Sequence, residues 1–206
     1  INKNFIIHYV NMLDISSFLT PSAIKKINSW QKSFNVKVII TSPKKTRLGV
    51  FIQKRNGCHV IKINNNLNKY SFLITLIHEF AHASVADKFK NNVSPHGQEW
   101  KYEFRKMMLS FLTPRFFPND ILECLSKHLI NPSSSTFRDV ELSKILQKYD
   151  NRKIVTVHQL DDGDEFKTID GKKFRRICKL RKNYKCINLE NSRLYRVSPL
   201  TEVDVI

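Results

Sequence analysis

The sequence predicts an α+β fold, because helical spacing and β-rich runs follow one another along its 206 residues. Apolar residues recur every three or four positions in residues 22–34, 73–84 and 100–111, which is typical of helices that pack against a core. Short β-rich runs between the first two helices predict a small sheet. We expect a main domain over residues 1–150 and a basic, β-rich module over residues 151–206.

The first helix is predicted over residues 22–34, where Ile27 and Trp30 share one face after the capping residue Thr20. Three strands are predicted to follow it, at residues 36–41, 49–53 and 59–63. A small sheet of this kind has an unpaired edge, on which an extended peptide can lie as an added strand.

Two histidines four positions apart lie in the second predicted helix, in the pentapeptide His78-Glu79-Phe80-Ala81-His82. We expect this helix to be capped by Asn68 or Ser71. On an α-helix, positions i and i+4 lie about 40° apart around the axis and about 6 Å apart along it, so both imidazoles can reach one cation. Glu79 lies about 100° round from His78, where a base that acts on metal-bound water belongs.

A catalytic zinc site built on this motif needs a third protein ligand and leaves the fourth position to water. The extended pattern HExxHxxGxxH fails, because its glycine and third histidine would fall at Val85 and Lys88. We favour His96, which a Pro-Gly turn places at the beginning of the third predicted helix. Glu99 and Glu103 on that helix stay open as alternative ligands.

Both halves of this pattern, HEFAHA at residues 78–83 and PHGQEW at residues 95–100, closely resemble the SprT-like, or Spartan-type, zinc metallopeptidases. The resemblance covers roughly residues 15–150. It implies one zinc ion bound by three histidines, with a glutamate as the general base. By position these residues are His78, His82, His96 and Glu79.

The resemblance also implies a zincin-like fold of the minigluzincin type, with a small antiparallel sheet beside the HExxH helix. Thr46-Arg47-Leu48-Gly49 resembles the family's strand that leads toward the active helix, and Ile61-Lys62-Ile63-Asn64 resembles its edge strand. Members of the family cleave flexible protein segments, and eukaryotic members act on proteins crosslinked to DNA. The resemblance therefore implies a protein or peptide substrate, and DNA as a candidate partner.

We expect metal-assisted hydrolysis of peptide bonds, in which zinc lowers the pKa of its bound water to about 7 and Glu79 takes the water's proton. The alternative is a nucleic-acid-binding protein in which the three histidines hold a structural zinc ion and no peptide is cut. Ligand chemistry disfavours this alternative, because structural zinc normally has four protein ligands and is often cysteine-rich.

The net charge is strongly positive, since 35 Lys and Arg face 18 Asp and Glu, which gives +17. This balance suits a polyanion such as nucleic acid, although a composition rich in Lys, Asn and Ile can produce much of the charge by itself. Residues 172–196 hold ten basic residues and one acid, with Phe174, Tyr184 and Tyr195 between them. The candidate nucleic-acid-binding residues are Lys172, Lys173, Arg175, Arg176, Lys179, Arg181 and Lys182.

Two further helices are predicted over residues 118–130 and 140–149, with a polar turn at residues 131–136 between them. In the first of these, a half-buried thiol at Cys124 and a surface imidazole at His128 explain their spacing of four better than a second metal site. Further β-rich runs predict an antiparallel C-terminal module, at residues 154–157, 165–169, 173–180 and 193–197.

The four cysteines are too few and too scattered for a secreted disulfide framework. Cys178 and Cys186 cannot fill a tetrahedral site by themselves, so we expect the C-terminal module to resemble a zinc ribbon without its metal. No apolar stretch reaches the length of a membrane span, and the segment Phe5–Val10 lacks the features of a signal peptide. We expect a soluble, cytoplasmic protein with one catalytic zinc ion.

Overall fold

The computed structural model describes residues 14–44, 47–55, 57–90, 92–133, 139–150 and 155–206. It divides the chain into two compact units, Ile1–Pro132 and Ser133–Ile206. The helix that precedes residue 150 is grouped with the second unit, and the domain boundary expected at that residue stays a prediction. Four of the expectations concern positions outside the described residues. These positions are Phe5–Val10, Thr46, residues 134–136 of the predicted turn, and Ile154.

The described residues of the first unit form a 3-10 turn, four helices and three strands, close to the predicted bounds. In chain order these are the turn Ile15–Ser17, α1 (Pro21–Ser33), β1 (Val36–Thr41), β2 (Gly49–Ile52), β3 (His59–Asn64), α2 (Lys69–Phe89), α3 (Gln98–Leu109) and α4 (Asn119–Ile130). Together with the strands of the second unit they make the fold α+β, as predicted.

Side-chain caps fix where the first two helices begin. The Thr20 hydroxyl accepts a hydrogen bond from the Ala23 amide at 3.4 Å. The Asn68 side chain accepts from the amides of Tyr70 and Ser71, at 3.0 and 2.9 Å. Each cap satisfies amides that have no partner inside the helix. Of the two caps considered for α2, the structure therefore selects Asn68.

The strand β3 lies in the centre of the three-stranded sheet, whose order is β1-β3-β2. It runs parallel to β1 and antiparallel to β2. Two expectations are therefore wrong, because the sheet is mixed rather than antiparallel and Ile61–Asn64 is central rather than an edge strand. After β1 the chain crosses to β2 at the opposite edge of the sheet. The β2–β3 hairpin then places β3 between β1 and β2. Val60, Ile61 and Ile63 are buried, as a central strand requires.

The helix α2 is the centre of the first unit. It packs against β2, β3 and α3, and Phe80 of α2 meets Trp30 of α1 edge to face at 5.6 Å between ring centroids. Its buried residues occur on all sides of the helix, from Phe72 to Ala86. A helix buried all round is held rigidly, so it can position functional side chains precisely.

The helix α4 corrects one expectation, because His128 is buried and not on the surface. Its ring meets the ring of Phe104 edge to face, with 6.4 Å between centroids. Cys124, one turn earlier, is half-buried as expected. The amphipathic pattern of α4 gives the faces of the helix, but it does not show that α3 covers position 128.

The second unit contains α5 (Val140–Gln147) and a six-stranded antiparallel sheet with the order β4-β9-β5-β6-β7-β8. The strands are β4 (Val155–Thr156), β5 (Glu165–Thr168), β6 (Lys173–Lys179), β7 (Tyr184–Asn188), β8 (Leu194–Val197) and β9 (Glu202–Val205), with a 3-10 turn at Val157–Gln159. The antiparallel arrangement is confirmed, although β7 and β9 were not predicted.

The sheet of the second unit is larger than the ribbon-like sheet expected from the sequence, and it has an apolar core of its own. The core residues are Val157, Leu160, Phe166, Phe174, Tyr184, Cys186 and Val203. Burial raises the pKa of the Cys186 thiol to about 11, which leaves it protonated at neutral pH. Hydrophobic burial thus stabilises this unit where a ribbon would use metal.

None of the helices in the described residues combines the length and the apolar content that crossing a membrane requires.

Candidate metal centre

The helix α2 presents His78 and His82 on one side. Their spacing of four residues brings the two ring centroids to 5.1 Å. Ala81 and Ala83 on either side of His82 are buried, whereas both imidazoles are half-buried. The two rings therefore project from a rigid helix into a partly open space.

His96 reaches the same space from the loop between α2 and α3. Its backbone is left-handed, with φ at 60°, a conformation that costs a residue other than glycine about 1–2 kcal/mol. The next residue, Gly97, precedes α3 as its N-cap. A Cβ atom at Gly97 would lie 2.9 Å from the carbonyl oxygen of Ser94, so this tight turn needs glycine. The predicted Pro-Gly turn thus turns the His96 ring back toward α2.

The Nε2 atoms of the three histidines converge. His96 Nε2 lies 3.1 Å from His78 Nε2 and 2.9 Å from His82 Nε2. All three ligand atoms lie within 4.8 Å of one another. Zinc–nitrogen bonds of 2.0–2.1 Å in a tetrahedral site place the ligand nitrogens about 3.4 Å apart, close to the observed separations. The group can therefore hold one metal ion, and its donor atoms fit zinc.

The surroundings of the histidines favour the neutral ring, which is the form that binds metal. Burial, with a smaller contribution from the nearby His96, lowers the pKa of His82 to about 4. Burial also holds the pKa of His78 well below its ordinary value, with smaller contributions from His82, His96 and His128. Repulsion from the neighbouring rings opposes the protonation of His78 and His82 and is absent when the neutral rings share one cation.

Trp100 packs against all three histidines. Its ring centroid lies 4.5 Å from that of His78, 5.5 Å from that of His82 and 4.8 Å from that of His96. Its indole N–H donates to the His78 carbonyl at 3.4 Å, and Phe104 stacks behind it at 5.0 Å. The sequence pattern identifies Trp100 only as a residue of an amphipathic helix. Its position one turn after His96 was the available signal.

Glu79 lies at the free edge of the sheet, with only 6% of its surface exposed. A Cβ atom at Gly49 would lie 3.0 Å from Glu79 Cγ. Burial raises the pKa of the Glu79 carboxyl to about 7, although a hydrogen bond from the Phe51 backbone and the charge of Arg47 oppose the shift. A carboxyl with this pKa can accept and release a proton near neutral pH.

The β2 strand offers its outer edge beside Glu79. The Asn64 amide donates to the Leu48 carbonyl at 2.9 Å. From this point the backbone N–H and C=O groups of successive β2 residues alternately point toward β3 and away from it. By this alternation the backbone groups of Gly49 and Phe51 point away from β3. An extended chain could pair with this edge and pass Glu79.

The three histidines, Glu79 and the three-stranded sheet all lie between residues 21 and 119. Residues 21–119 match the model of the SprT-like family. The resemblance carried by HEFAHA and PHGQEW is thereby confirmed. No curated protein and no solved structure matches the chain.

Within the SprT-like region, the alternative ligand Glu103 is engaged elsewhere. Its carboxylate accepts a hydrogen bond from the Ser84 hydroxyl at 2.8 Å and pairs with the Lys88 ammonium at 2.5 Å. Among the described residues, the three histidines are the group of potential metal ligands that the structure brings together, and neither Glu99 nor Glu103 belongs to it. The geometry therefore favours His96 as the third ligand.

The candidate nucleic-acid-binding residues lie outside the SprT-like region, on β6 and in the turns beside it. Three of the seven have acidic partners, in the pairs Lys172–Asp170 at 2.8 Å, Arg175–Glu165 at 2.6 Å and Arg176–Asp162 at 2.8 Å. Phe174 and Tyr184 point into the apolar core, so their rings cannot stack on bases. Nucleic-acid binding by this group stays a prediction.

Proposed function

We propose that the protein is a zinc-dependent endopeptidase of the SprT-like type with a zincin-like fold. The convergence of three imidazole nitrogens, two of them on the same helix as the buried Glu79 carboxyl, is the observation that carries the proposal. Three nitrogen ligands leave a fourth position for a reactant, as in catalytic rather than structural zinc sites. The match of residues 21–119 to the SprT-like family supports the same assignment.

When bound, zinc would supply Lewis-acid chemistry, which lowers the pKa of water and polarises a carbonyl group. The protein's own residues perform the remaining steps. His78, His82 and His96 hold the ion, and Trp100 keeps their rings oriented. The Glu79 carboxylate accepts a proton from the attacking water molecule and delivers it to the nitrogen of the departing amine.

The free edge of β2 is the binding site that we propose for the substrate. A peptide that adds to this edge forms main-chain hydrogen bonds with Gly49 and with the Phe51 carbonyl, while the Phe51 amide stays bonded to Glu79, and its backbone passes Glu79. Main-chain pairing selects for an extended segment more than for particular side chains. Flexible segments of proteins, including proteins associated with DNA, are therefore the proposed substrates.

The decisive experiment compares the parent protein with Glu79→Gln in the digestion of casein or histone, with and without a chelator. The variant should bind zinc like the parent and cleave at least about 100-fold more slowly, because it lacks the proton acceptor. His96→Ala should lose both zinc and activity, whereas Glu103→Gln should keep its zinc. A Glu79→Gln variant that digests at the parental rate would refute the role of Glu79.

A structural zinc ion in a non-catalytic nucleic-acid-binding protein is the competing assignment. It predicts that the parent protein contains zinc but digests neither substrate, whether or not a chelator is present. The digestion assay thus separates the two functions without knowledge of the natural substrate.

A further inference from the structure

Most of the positive charge lies in the first unit. Ile1–Pro132 contains 19 Lys and Arg against 7 Asp and Glu, whereas Ser133–Ile206 contains 16 against 11. The first unit therefore carries 12 of the 17 net charges. Residues 15–78 contain 11 Lys and Arg and not one Asp or Glu. A bias toward Lys across the whole chain would not remove the acids from one stretch, so this stretch needs its own explanation.

The three-stranded sheet, which this stretch contains, has an outer face that is partly open to solvent, with Lys62 exposed between the buried residues Val60 and Asn64. Gly49, Ile63 and their neighbours of the same parity face α2, because a Cβ at Gly49 would touch Thr75 and Glu79. The alternate residues, among them Lys62 in the middle of β3, lie on the opposite face. Lys62 is exposed although its strand is central. An exposed cation thus lies on the central strand of this partly exposed face.

A depression of about 320 Å³ on this outer face collects further cations. It is lined by Lys44, Arg47 and Lys62, with polar groups of Thr41, Ser42 and Asn64 beside them. The Asn64 side-chain amide donates to the carbonyls of Lys44 and Arg47, at 3.3 and 2.9 Å. These hydrogen bonds hold the backbone at Lys44 and Arg47, two of the three cationic residues. In the part of the chain that the structure describes, none of the three cations forms an ion pair.

We infer that this outer face binds the phosphodiester backbone of a nucleic acid. Phosphate oxygens accept hydrogen bonds from Lys and Arg and from the hydroxyl and amide groups that line the depression. None of the residues lining it is aromatic, so bases find no ring on which to stack. The contact therefore depends on charge and not on base sequence, and it weakens steeply as salt rises. A repeated anion explains the missing acids better than a single small ligand, because the whole surrounding stretch is acid-free.

The proposed binding surface belongs to the first unit, and its Arg47 also acts electrostatically on Glu79. It does not require zinc or peptidase activity, so the two proposals can fail independently. The test accordingly uses the full chain carrying Glu79→Gln, and it measures the fluorescence anisotropy of a labelled DNA duplex of about 20 base pairs over a salt series.

The chain offers a matched pair of variants for this test. The sheet variant carries Lys44→Gln, Arg47→Gln and Lys62→Gln, and the control carries Lys179→Gln, Arg181→Gln and Lys182→Gln. Each removes two lysines and one arginine, and all six side chains are exposed, so both proteins should keep their circular dichroism spectrum and thermal stability. The net charge of the two variants is identical.

The sheet variant should bind the duplex at least about tenfold more weakly than the parent, and its slope of log Kd against log salt should fall by about 2 to 3. The control should change Kd by less than about threefold. Parental binding by the sheet variant, or an equal loss in the control, would overturn the inference. So would displacement of the duplex by polyglutamate as readily as by unlabelled DNA, since this result would assign the surface to acidic protein.

Discussion

Gly49 of β2 and Glu79 of α2 lie in direct contact. A Cβ atom at position 49 would lie 3.0 Å from Glu79 Cγ and 2.8 Å from side-chain carbons of Ile63 and Thr75. Only a residue without a side chain lets the strand and the helix approach so closely. The position of the proposed base therefore depends on a glycine in another element.

Gly49→Ala should destabilise the first unit by about 1–3 kcal/mol, because the new methyl group overpacks a filled space. It should also displace the Glu79 carboxylate, so cleavage should fall while zinc content stays at the parental level. Urea unfolding followed by circular dichroism measures the first effect, and a metal assay beside the digestion assay measures the second. Adding Thr75→Ser removes one of the contacted carbons and should recover part of the stability. An alanine variant as stable as the parent would contradict the contact.

Trp100→Phe should lower the affinity of the protein for zinc by about 10- to 100-fold, because the indole packs against all three histidines and donates a hydrogen bond to the His78 carbonyl. Competition with a chelating dye measures this affinity. Trp30→Phe is the matched control, since Trp30 packs against Phe80 and Phe111. Equal losses in the two variants would indicate a general loss of packing.

Glu103 couples the stability of the first unit to pH. Burial raises the pKa of its carboxyl, but hydrogen bonds from Lys88 and Ser84 outweigh burial and hold the pKa below its ordinary value of 4.5. The folded state thus binds this proton less tightly than the unfolded state does. The resulting stability is present above pH 4.5 and is lost as the pH falls through the folded pKa.

Glu103→Gln should therefore flatten the decline of the unfolding free energy below pH 4.5. Urea unfolding at a series of acidic pH values measures the slope. Glu123→Gln is the control, because Glu123 and its partner Lys127 are both exposed and solvent screens their interaction. A Glu103→Gln variant that keeps the parental slope would show that the Lys88 and Ser84 contacts do not stabilise the folded state.

Arg176 stabilises the second unit from within. Its guanidinium lies 4.3 Å from the centre of the Tyr184 ring and bonds Asp162 and the carbonyls of Val157 and Leu160. The side chain of Arg176 is only 11% exposed. A lysine lacks the planar guanidinium with its several N–H donors. Lysine at position 176 would therefore leave these carbonyl groups without hydrogen-bond donors.

Arg176→Lys should accordingly destabilise the second unit by about 1–3 kcal/mol in urea unfolding. Arg175→Lys should change it by less than about 0.5 kcal/mol, because Arg175 forms an exposed pair with Glu165. Similar effects of the two substitutions would show that Arg176 is an ordinary surface cation.

Local signals made much of the first unit predictable. The cap at Thr20 and the helical spacing gave α1 close to its observed bounds, and the two candidate caps bracketed the start of α2, whose end at Phe89 lies beyond the predicted pattern. His78 and His82 needed only the geometry of one helix. His96 needed, in addition, a turn whose residues are adjacent in sequence. These features depend on neighbouring residues, so sequence alone carries them.

Strand order and charge pairing depend on distant residues and were not predictable in the same way. The parallel pairing of β1 with β3 is decided by how the chain crosses the sheet. Glu165 and Asp162 neutralise Arg175 and Arg176 from 10 and 14 positions away, across strands and turns. Trp100 has the spacing of an ordinary core residue, and only the assembled site shows which rings it contacts.

The proximity of Trp100 to every histidine of the metal centre gives the chain an optical sensor. The sequence contains two tryptophans, and one of them touches all three imidazoles. A paramagnetic ion such as Co²⁺ or Cu²⁺ at the histidines would extinguish the near-ultraviolet emission of that indole more than the emission of Trp30. Occupancy of the site could then be followed in real time in the unlabelled protein.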